Sequence, residues 1–514
     1  MKIREACWKT AEAERIGVIV DGARYFAVLR EAMLKAESHI LFIGWDFERK
    51  ATLLYPEEHA DSDPQAPAQL GRFLRHIVRR KPELTIRILR WSSSVLLNFG
   101  RELQTLIRLG WGGSPQIIYR LDNHHPTIAC HHQKLIIIDD RIAFCGSIDL
   151  VGNRWDTPEH LANDPRRKRR GKAFGPRHEV AMVVDGAAAQ ALGELARHRW
   201  YEALGETLSV TDTANDPWPT FLEPDFRHTQ IGIARTQPAY NEQPEVREIE
   251  AINLEAIRHA RSFIYIENQY FASRRVTEAL AERLQAPDGP DVVVINPEKG
   301  EDILEEAAMD SARRFAVHYL KQHDLHGRFA IYTPYNAADE PIYVHSKVLI
   351  ADDRLLRIGS SNLNNRSMGF DTECDVVIDR DLNAEAGTDT ERISAKISDL
   401  RNRLLAEHLG LDQTSFSQAF NEQGSLLKTI ETLRAEQGRR LVHLDLPKPE
   451  ENNLVVELQL GDPETPVKPK RLARCHLLRQ LGSTETTMPA AAGPARTPEL
   501  REKYWFPGRE ARHP

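Results

Sequence analysis

The chain alternates short apolar runs with segments whose apolar residues recur at helix spacing. "AESHILFIGWDF" (36–47), "LTIRILRW" (84–91) and "QIIYRL" (116–121) read as strands. So do "ARSFIYIENQYF" (260–271), "DVVVINP" (291–297) and "RFAIYTP" (328–334). Ahead of the first run, Phe26, Leu29, Met33 and Ala36 mark one helix face; ahead of the fourth, Ile249, Ile252, Ala256 and Ala260 mark another. Two segments break the alternation of a half-buried strand. "HHQKLIIIDD" (131–140) and "HSKVLIADDR" (345–354) are aliphatic in the middle and polar only at the ends, the pattern of a strand covered on both faces. Each is followed by a second short strand, then by a strand and a helix. These are "HEVAMVVDG" into "AAAQALGELARHRWYEAL", and "ECDVVID" into "ERISAKISDLRNRLLAEHL".

The similarity is a duplication. Aligning His132 with His345 brings Lys134 onto Lys347, Asp139 onto Asp352, Asp140 onto Asp353 and Arg141 onto Arg354. Gly146 and Ser147 meet Gly359 and Ser360, and Leu150 meets Leu363, with no gap. Strands alternating with helices predict an α/β class, here two similar α/β/α sandwich halves packed with pseudo-twofold symmetry around an active site at their interface. The halves are expected at 1–210 and 241–410, with a linker at 211–240. A small C-terminal extension, 411–514, carries one helix in "GSLLKTIETLRAEQGRRL" and a flexible Pro- and charge-rich stretch, and it is given no chemistry.

Composition narrows the class. A chain of 514 residues can bury a large core, and a net charge of −7 argues against a general nucleic-acid binder. The N-terminus lacks the apolar region of a secretory signal, and no apolar run approaches a membrane span. Cys7, Cys130, Cys145, Cys374 and Cys475 show no CxxC spacing, so neither a disulfide framework nor a zinc site is expected from them.

On a strand, i and i+2 share a face, so His132 lies beside Lys134 and His345 beside Lys347. Asp139 stands roughly 23 Å from His132 along a straight strand, so Asp139 and Asp352 are expected to shape turns and to act on chemistry only indirectly. A reactive histidine needs a carboxylate on its second nitrogen. Glu179 and Glu373, each opening the next strand of its own half, are the candidates. Two His–Lys pairs facing each other suit a phosphodiester. One imidazole attacks phosphorus, the other protonates the leaving alcohol, and the lysines neutralise the phosphoryl oxygens. The "GS" after each hairpin, Ser147 and Ser360, adds a hydroxyl and close-approaching backbone. No metal and no cofactor is required. The cluster His124, His125, His131 and His132 invites a metal reading, but it has no counterpart in the second copy.

The residues resemble the phospholipase D superfamily, whose signature is a doubled His-x-Lys-x4-Asp followed by Gly-Ser-x-Asn. Both copies are present: His132, Lys134, Asp139, Gly146 and Ser147, then His345, Lys347, Asp352, Gly359, Ser360 and Asn362. "GSIDLVGNRWDTPEH" (146–160), "IENQYF" (266–271), "GSSNLNNRSMGFDTE" (359–373) and "EHLG" (407–410) resemble phospholipase D proper, including its eukaryotic branch. Asp149 stands where the general signature has Asn, and Glu179 where Asp is common. The resemblance covers roughly residues 10–410, and the compact form looks bacterial. It implies that the two His–Lys pairs, Asp139, Asp352, Glu179 and Glu373 form the catalytic set. It further implies that Ser147, Asp149, Ser360, Asn362 and Asn364 bind substrate.

The implied reaction is ping-pong cleavage of a phospholipid headgroup through a phosphohistidine, with His132 as nucleophile and His345 as acid. Water or a small alcohol is the acceptor. The implied partner is a bilayer surface met peripherally, with no nucleic acid, and one chain completes one site as a monomer. The runners-up are a cardiolipin synthase-like transferase and a metal-independent nuclease or phosphodiesterase. A non-enzymatic relic would need one degraded motif, and neither is. "PRRKRRGK" (165–172) could attract anionic headgroups or be a solvated loop; "WSSSVLLNFG" (91–100) could touch lipid or begin a core helix. The enzyme would act in the cytoplasm or on a membrane, or leave by a route without a signal peptide. An antibacterial effector role would add an immunity protein as partner.

Overall fold

The computed structural model describes residues 2–55, 63–92, 114–210, 213–300, 303–449 and 462–465. At its centre two long strands, Lys9–Val20 and Phe226–Gln237, pair antiparallel from Lys9 opposite Ile233 to Ile16 opposite Phe226. From Lys9–Val20 the sheet runs outward through Val180–Asp185, Ile142–Gly146, Leu135–Ile138, His39–Gly44, Thr85–Trp91 and Ile117–Asp122. From Phe226–Gln237 it runs the other way in the same order: Glu373–Asp379, Leu355–Gly359, Val348–Ala351, Phe263–Glu267, Asp291–Ile295 and Phe329–Tyr335. In each copy the outermost three of these strands are parallel and the rest antiparallel. The repeat therefore closes into one continuous sheet related to itself across the central pair.

Helices cover both faces. Gly186–Leu204 and Thr390–Leu409 pack on one face over a single core that joins Ile137, Val184 and Trp200 to Ile350, Val376 and Leu404. On the other face Gly22–Lys35 and Leu70–Arg80 cover the first copy. Glu248–His259, Arg274–Gln285 and Ile303–His323 cover the second. The aliphatic strands behave as their pattern requires: Leu135 and Ile137 face the shared core, while Ile136 and Ile138 face the opposite one. No described helix is long and apolar enough to cross a membrane.

Two expectations change here. Phe226–Gln237 lies within the stretch expected to be a linker, and its alternating buried Ile231 and Ile233 place it at the sheet centre. The described part of the C-terminal extension forms two helices and a strand in place of one helix. Gly424, at φ 64°, ends Gln413–Gln423, and the Ser425 hydroxyl caps Leu426–Leu433 by accepting from Lys428 N. Arg440–His443 then adds to the sheet beside Phe329–Tyr335.

Candidate active site

Each motif enters its strand by zipping onto the other copy. His132 N donates to Thr372 O at 2.9 Å, and His345 N donates to His178 O at 2.9 Å. Thr372 and His178 are the residues just before Glu373 and Glu179. The carboxylates are thereby crossed: His132 Nδ1 faces both oxygens of Glu373 at 3.0 Å, and His345 Nδ1 faces Glu179 Oε2 at 2.9 Å. The sequence named both glutamates as partners of the histidines without saying which serves which, and the structure pairs each with the histidine of the other half. The backbone bond that seats each histidine belongs to the opposite copy, and the carboxylate follows it in the chain.

The hydroxyls expected to bind substrate serve those carboxylates. Ser360 Oγ and Ser367 Oγ each donate to Glu373 at 2.6 Å, and Ser147 Oγ donates to Glu179 at 2.6 Å. Both oxygens of Glu373 are so engaged, whereas on Glu179 the serine and the imidazole share Oε2; either way the hydroxyl fixes the carboxylate as an acceptor for its imidazole. The motif glycines permit close strand approach. A Cβ on Gly146 would lie 2.5 Å from Ala181 Cα, and one on Gly359 would lie 2.5 Å from Asp375 Cα.

The lysines sit on the same sheet end. Lys347 Nζ donates to Gln269 Oε1 at 3.1 Å and to His345 O at 2.6 Å. Lys134 Nζ donates to His132 O at 3.2 Å and lies 3.4 Å from Asp149 Oδ2. Asp149 is therefore a counter-ion to Lys134. Asn362 Oδ1 is buried and makes no hydrogen bond, which leaves it available. Asn364 is committed elsewhere: its Oδ1 caps Asn365–Gly369 by accepting from Ser367 N at 3.1 Å. That use as a cap corrects its assignment to substrate.

Asp139 and Asp352 are likewise corrected from the catalytic set to the turn. Each occupies a left-handed backbone conformation at φ 54° at the far end of its strand. Asp139 accepts from the N–H groups of Glu37, Ser38 and His39 at 2.7–2.8 Å, and Asp352 from those of Arg261, Ser262 and Phe263 at 2.6–3.0 Å. They tie the preceding loop to the hairpin and do not meet the histidines.

The crossed contacts bring the two pairs together, and their charges act on both rings. Burial lowers the His132 pKa well below its usual value, and Lys134 and Lys347 lower it further. Burial, Lys347, Arg154, Arg177 and Lys134 lower that of His345 in the same way. Each ring therefore feels the lysine of the opposite motif. Burial also holds Lys347 well below the usual lysine range and pushes Glu373 up to about 8 and Glu179 upward. With protonation so disfavoured, each ring can present a bare Nε2 while its Nδ1 proton lies against a glutamate.

Several contributors escaped the sequence reading. Trp45 stands edge-on to His132 at 5.5 Å between ring centroids, and Tyr343 stacks beside His345 at 6.5 Å. Arg154 Nε lies 3.4 Å from Glu179 Oε1. Arg154 and Gln269 fall inside the quoted motif stretches, but nothing in their spacing shows which way they turn. The histidine cluster disperses. His131 bridges Thr372 Oγ1 and Asp122 Oδ1, His125 bonds two backbone carbonyls, and His124 packs on Tyr240.

The basic loop is also mostly consumed internally. Arg166 pairs with Asp164, Arg167 is buried against Asp156, and Arg169 and Arg170 both bind Glu48. Lys168 and Lys172 remain exposed. The apolar stretch 93–100 lies outside the described residues.

The chain is similar to known proteins. A family model described as "Cardiolipin synthase, PLD-like domain" matches residues 254–393, and one described as "Phospholipase D" matches residues 332–455. Phospholipase D1 of Schizosaccharomyces pombe is 26% identical over 400 residues, covering 60% of this chain and 29% of that protein. Phospholipase D1 of Saccharomyces cerevisiae is 24% identical over 499 residues, covering 77% and 29%. Phospholipase D alpha 4 of Arabidopsis thaliana is 24% identical over 455 residues, covering 67% and 59%. The chain thus spans under a third of the two fungal relatives. Among solved structures, phosphatidylserine synthase of Haemophilus influenzae Rd KW20 superposes with a TM-score of 0.51 at 12% identity, covering 84% of this chain and 97% of that one. With both His–Lys motifs on one sheet, the family models and the phospholipase D relatives support placing the chain in the phospholipase D superfamily.

Proposed function

We propose that the protein is a phospholipase D. It cleaves the distal phosphodiester of glycerophospholipids to phosphatidic acid and free headgroup, and it transfers the phosphatidyl group to alcohols. The observation that carries this reading is the crossed pair of His–Glu dyads with two lysines in one buried site. His132 Nε2 attacks phosphorus, and the P–O bond to the headgroup breaks. The headgroup oxygen takes a proton from His345 Nε2. The incoming phosphodiester anion offsets the lysine charge, so one ring can hold that proton. Glu373 balances the positive charge on the phosphorylated ring. Neutral His345 then takes a proton from water or an alcohol, whose oxygen displaces His132. The lysines supply the positive charge at the phosphoryl oxygens, so no metal ion takes part in the step.

A transferase reading has one specific support. The match to a cardiolipin synthase-type model fits transfer to an alcohol acceptor. The same intermediate serves both outcomes. Contact with a bilayer surface, action as a monomer and an effector role belong to this reading as well.

The test is phospholipid turnover in mixed micelles with EDTA and a primary alcohol, for wild type and His345→Ala. Phosphatidyl-alcohol from wild type alone is expected. Absence of any lipid product, with cleavage of single-stranded DNA or bis(p-nitrophenyl) phosphate, would move the site to a nuclease.

A further inference from the structure

Away from the catalytic dyads, four side chains converge in a second buried cluster. Asp21 precedes the helix Gly22–Lys35, His160 closes the "WDTPEH" segment, and His178 lies on Arg177–His178. Glu407 comes from Thr390–Leu409 of the second copy. We propose that Asp21, His160, His178 and Glu407 bind one divalent transition-metal ion of the zinc type, which fastens the two copies together.

The donor atoms all lie within 4.8 Å of one another. His178 Nδ1 is 2.9 Å from Glu407 Oε1 and 3.3 Å from Asp21 Oδ1. His160 Nε2 is 3.4 Å from Glu407 Oε1 and 3.8 Å from Asp21 Oδ2. A tetrahedral ion with bonds of about 2.1 Å sets its ligands about 3.4 Å apart, so these four separations depart from it by about half an ångström and no pair in the cluster by more than about 1.4 Å.

Two observations separate this from an ordinary ion-pair network. Asp21 and His160 are fully buried, and Asp21 Oδ2 and His160 Nε2 both point into the cluster without a hydrogen bond. Buried polar atoms seldom stay unpaired in a finished network. The second is the outer shell. His178 Nε2 faces Glu267 Oε2 at 3.0 Å, and His160 Nδ1 faces Asp156 Oδ2 at 2.9 Å. Both carboxylates are themselves fixed, Glu267 by Tyr265 OH at 2.5 Å and Asp156 by Arg177 N at 2.8 Å. Each imidazole thus gives its far N–H to a carboxylate and presents its other nitrogen to the centre, the arrangement that orients metal-bound histidines.

The donor set selects the ion. Two imidazole nitrogens disfavour calcium and magnesium, which take oxygen. Two carboxylates balance a 2+ charge where Asp21, His160 and His178 are fully buried. The ion is a staple and stays apart from the phosphoryl chemistry. Three ligands come from the first copy and one from the second. His178 also precedes Glu179 in the chain and accepts the backbone bond of His345.

The experiment is elemental analysis of the full chain, purified without metal-affinity resin. It is paired with stripping by a strong chelator in mild denaturant and reloading with Zn2+ or Co2+. The expected result is one Zn2+ per chain, a melting temperature that rises on reloading and saturates at one equivalent, and the intense visible bands of four-coordinate Co2+. In competition with a chromophoric chelator, Asp21→Asn and Glu407→Gln should bind Zn2+ at least about tenfold more weakly, while His124→Ala binds like wild type. The proposal is overturned if stripped wild type takes up neither ion or melts identically with and without them. It is equally overturned if uptake persists unweakened in both carboxylate variants. Should those variants not fold, the wild-type stoichiometry and cobalt spectrum decide. None of these readouts uses lipid turnover, so the outcome stands apart from that of the proposed activity.

Discussion

The crossed dyads make a sharp prediction for Glu373→Gln and Glu179→Gln. Glu373 accepts from His132 at 3.0 Å and from two serine hydroxyls at 2.6 Å. Glutamine keeps one acceptor oxygen and turns an amide donor toward one of those partners. Facing His132 Nδ1, that amide forces the ring proton onto Nε2, the atom that must attack. An imidazole held in the wrong tautomer loses about 10^3- to 10^4-fold in rate, or roughly 4–5.5 kcal/mol. The mismatched buried donor should also lower stability by about 1–3 kcal/mol. The assay compares a natural phospholipid with a phosphatidyl p-nitrophenol, whose leaving group departs without a proton. Variants on the acid side, His345→Ala and Glu179→Gln, should recover most of their lost rate in the first-turnover burst of p-nitrophenol, which precedes the step that needs His345 as base. Variants on the nucleophile side, His132→Ala and Glu373→Gln, should not. If the sides exchange as intact pairs, the crossing stands and the two histidines swap roles. If Glu179→Gln groups with His132→Ala, the crossed pairing is wrong.

Three further outcomes follow from the same geometry. Asp139→Ala strands the N–H groups of Glu37, Ser38 and His39. It should therefore cost about 3 kcal/mol in urea unfolding while kcat of the folded enzyme stays near wild type, and a loss of about 100-fold in kcat would return Asp139 to the chemistry. The nucleophile must be unprotonated, and burial with Lys134 and Lys347 lowers the His132 pKa from its usual 6.5. Because a lowered pKa postpones protonation to more acid solution, the acid limb of kcat/KM should lie below pH 6.5, and Lys134→Met should move it upward. A wild-type limb above 6.5, or a downward move in the variant, contradicts this. Lys168 and Lys172 are the exposed lysines of the 165–172 loop, so Lys168→Ser with Lys172→Ser should weaken sedimentation with anionic vesicles by about 30-fold, at about 1 kcal/mol per charge. Equal binding by the double variant would remove this loop from the membrane contact.

What the sequence made legible was whatever a local period or a repeated spacing encodes. The strands at 135–138 and 348–351 announce themselves as doubly buried because four aliphatics follow one another without a polar break. The duplication showed because polar residues and glycines recurred in step. The central strand Lys9–Val20 did not show. Its first half, "KTAEAER", places Ala where Val or Ile would signal a strand, and it is held extended by pairing with Phe226–Gln237 more than two hundred positions away. The partner was hidden by its place in the presumed linker. For the site, the residue types were readable and their allegiances were not. Ser147 and Ser360 looked like phosphate ligands, yet each spends its hydroxyl on a glutamate. Asp149 looked like a substrate residue and faces Lys134. The cluster of Asp21, His160, His178 and Glu407 left no spacing signal at all, because its members come from four separate elements.

The crossing also explains why the duplicated halves stay in one chain. A half standing alone would keep its histidine and lysine but lose the segment that seats the histidine backbone, Thr372 for one copy and His178 for the other. It would lose the glutamate that follows that segment and the serine that fixes it. The central antiparallel pair, Lys9–Val20 with Phe226–Gln237, would present an unpaired strand edge, and the core shared by Ile137 and Ile350 would be cut open. Symmetry supplies two copies of each part, and the crossing makes each copy's reactive ring depend on the other. Any asymmetry between the histidines must then come from their surroundings. Trp45 and the Lys134–Asp149 ion pair lie beside His132, while Arg154, Arg177 and Tyr343 lie beside His345. Positive charge concentrates on the His345 side and is partly cancelled on the His132 side. Those surroundings, and not the motifs, are where the division between attacking and protonating ring has to be decided.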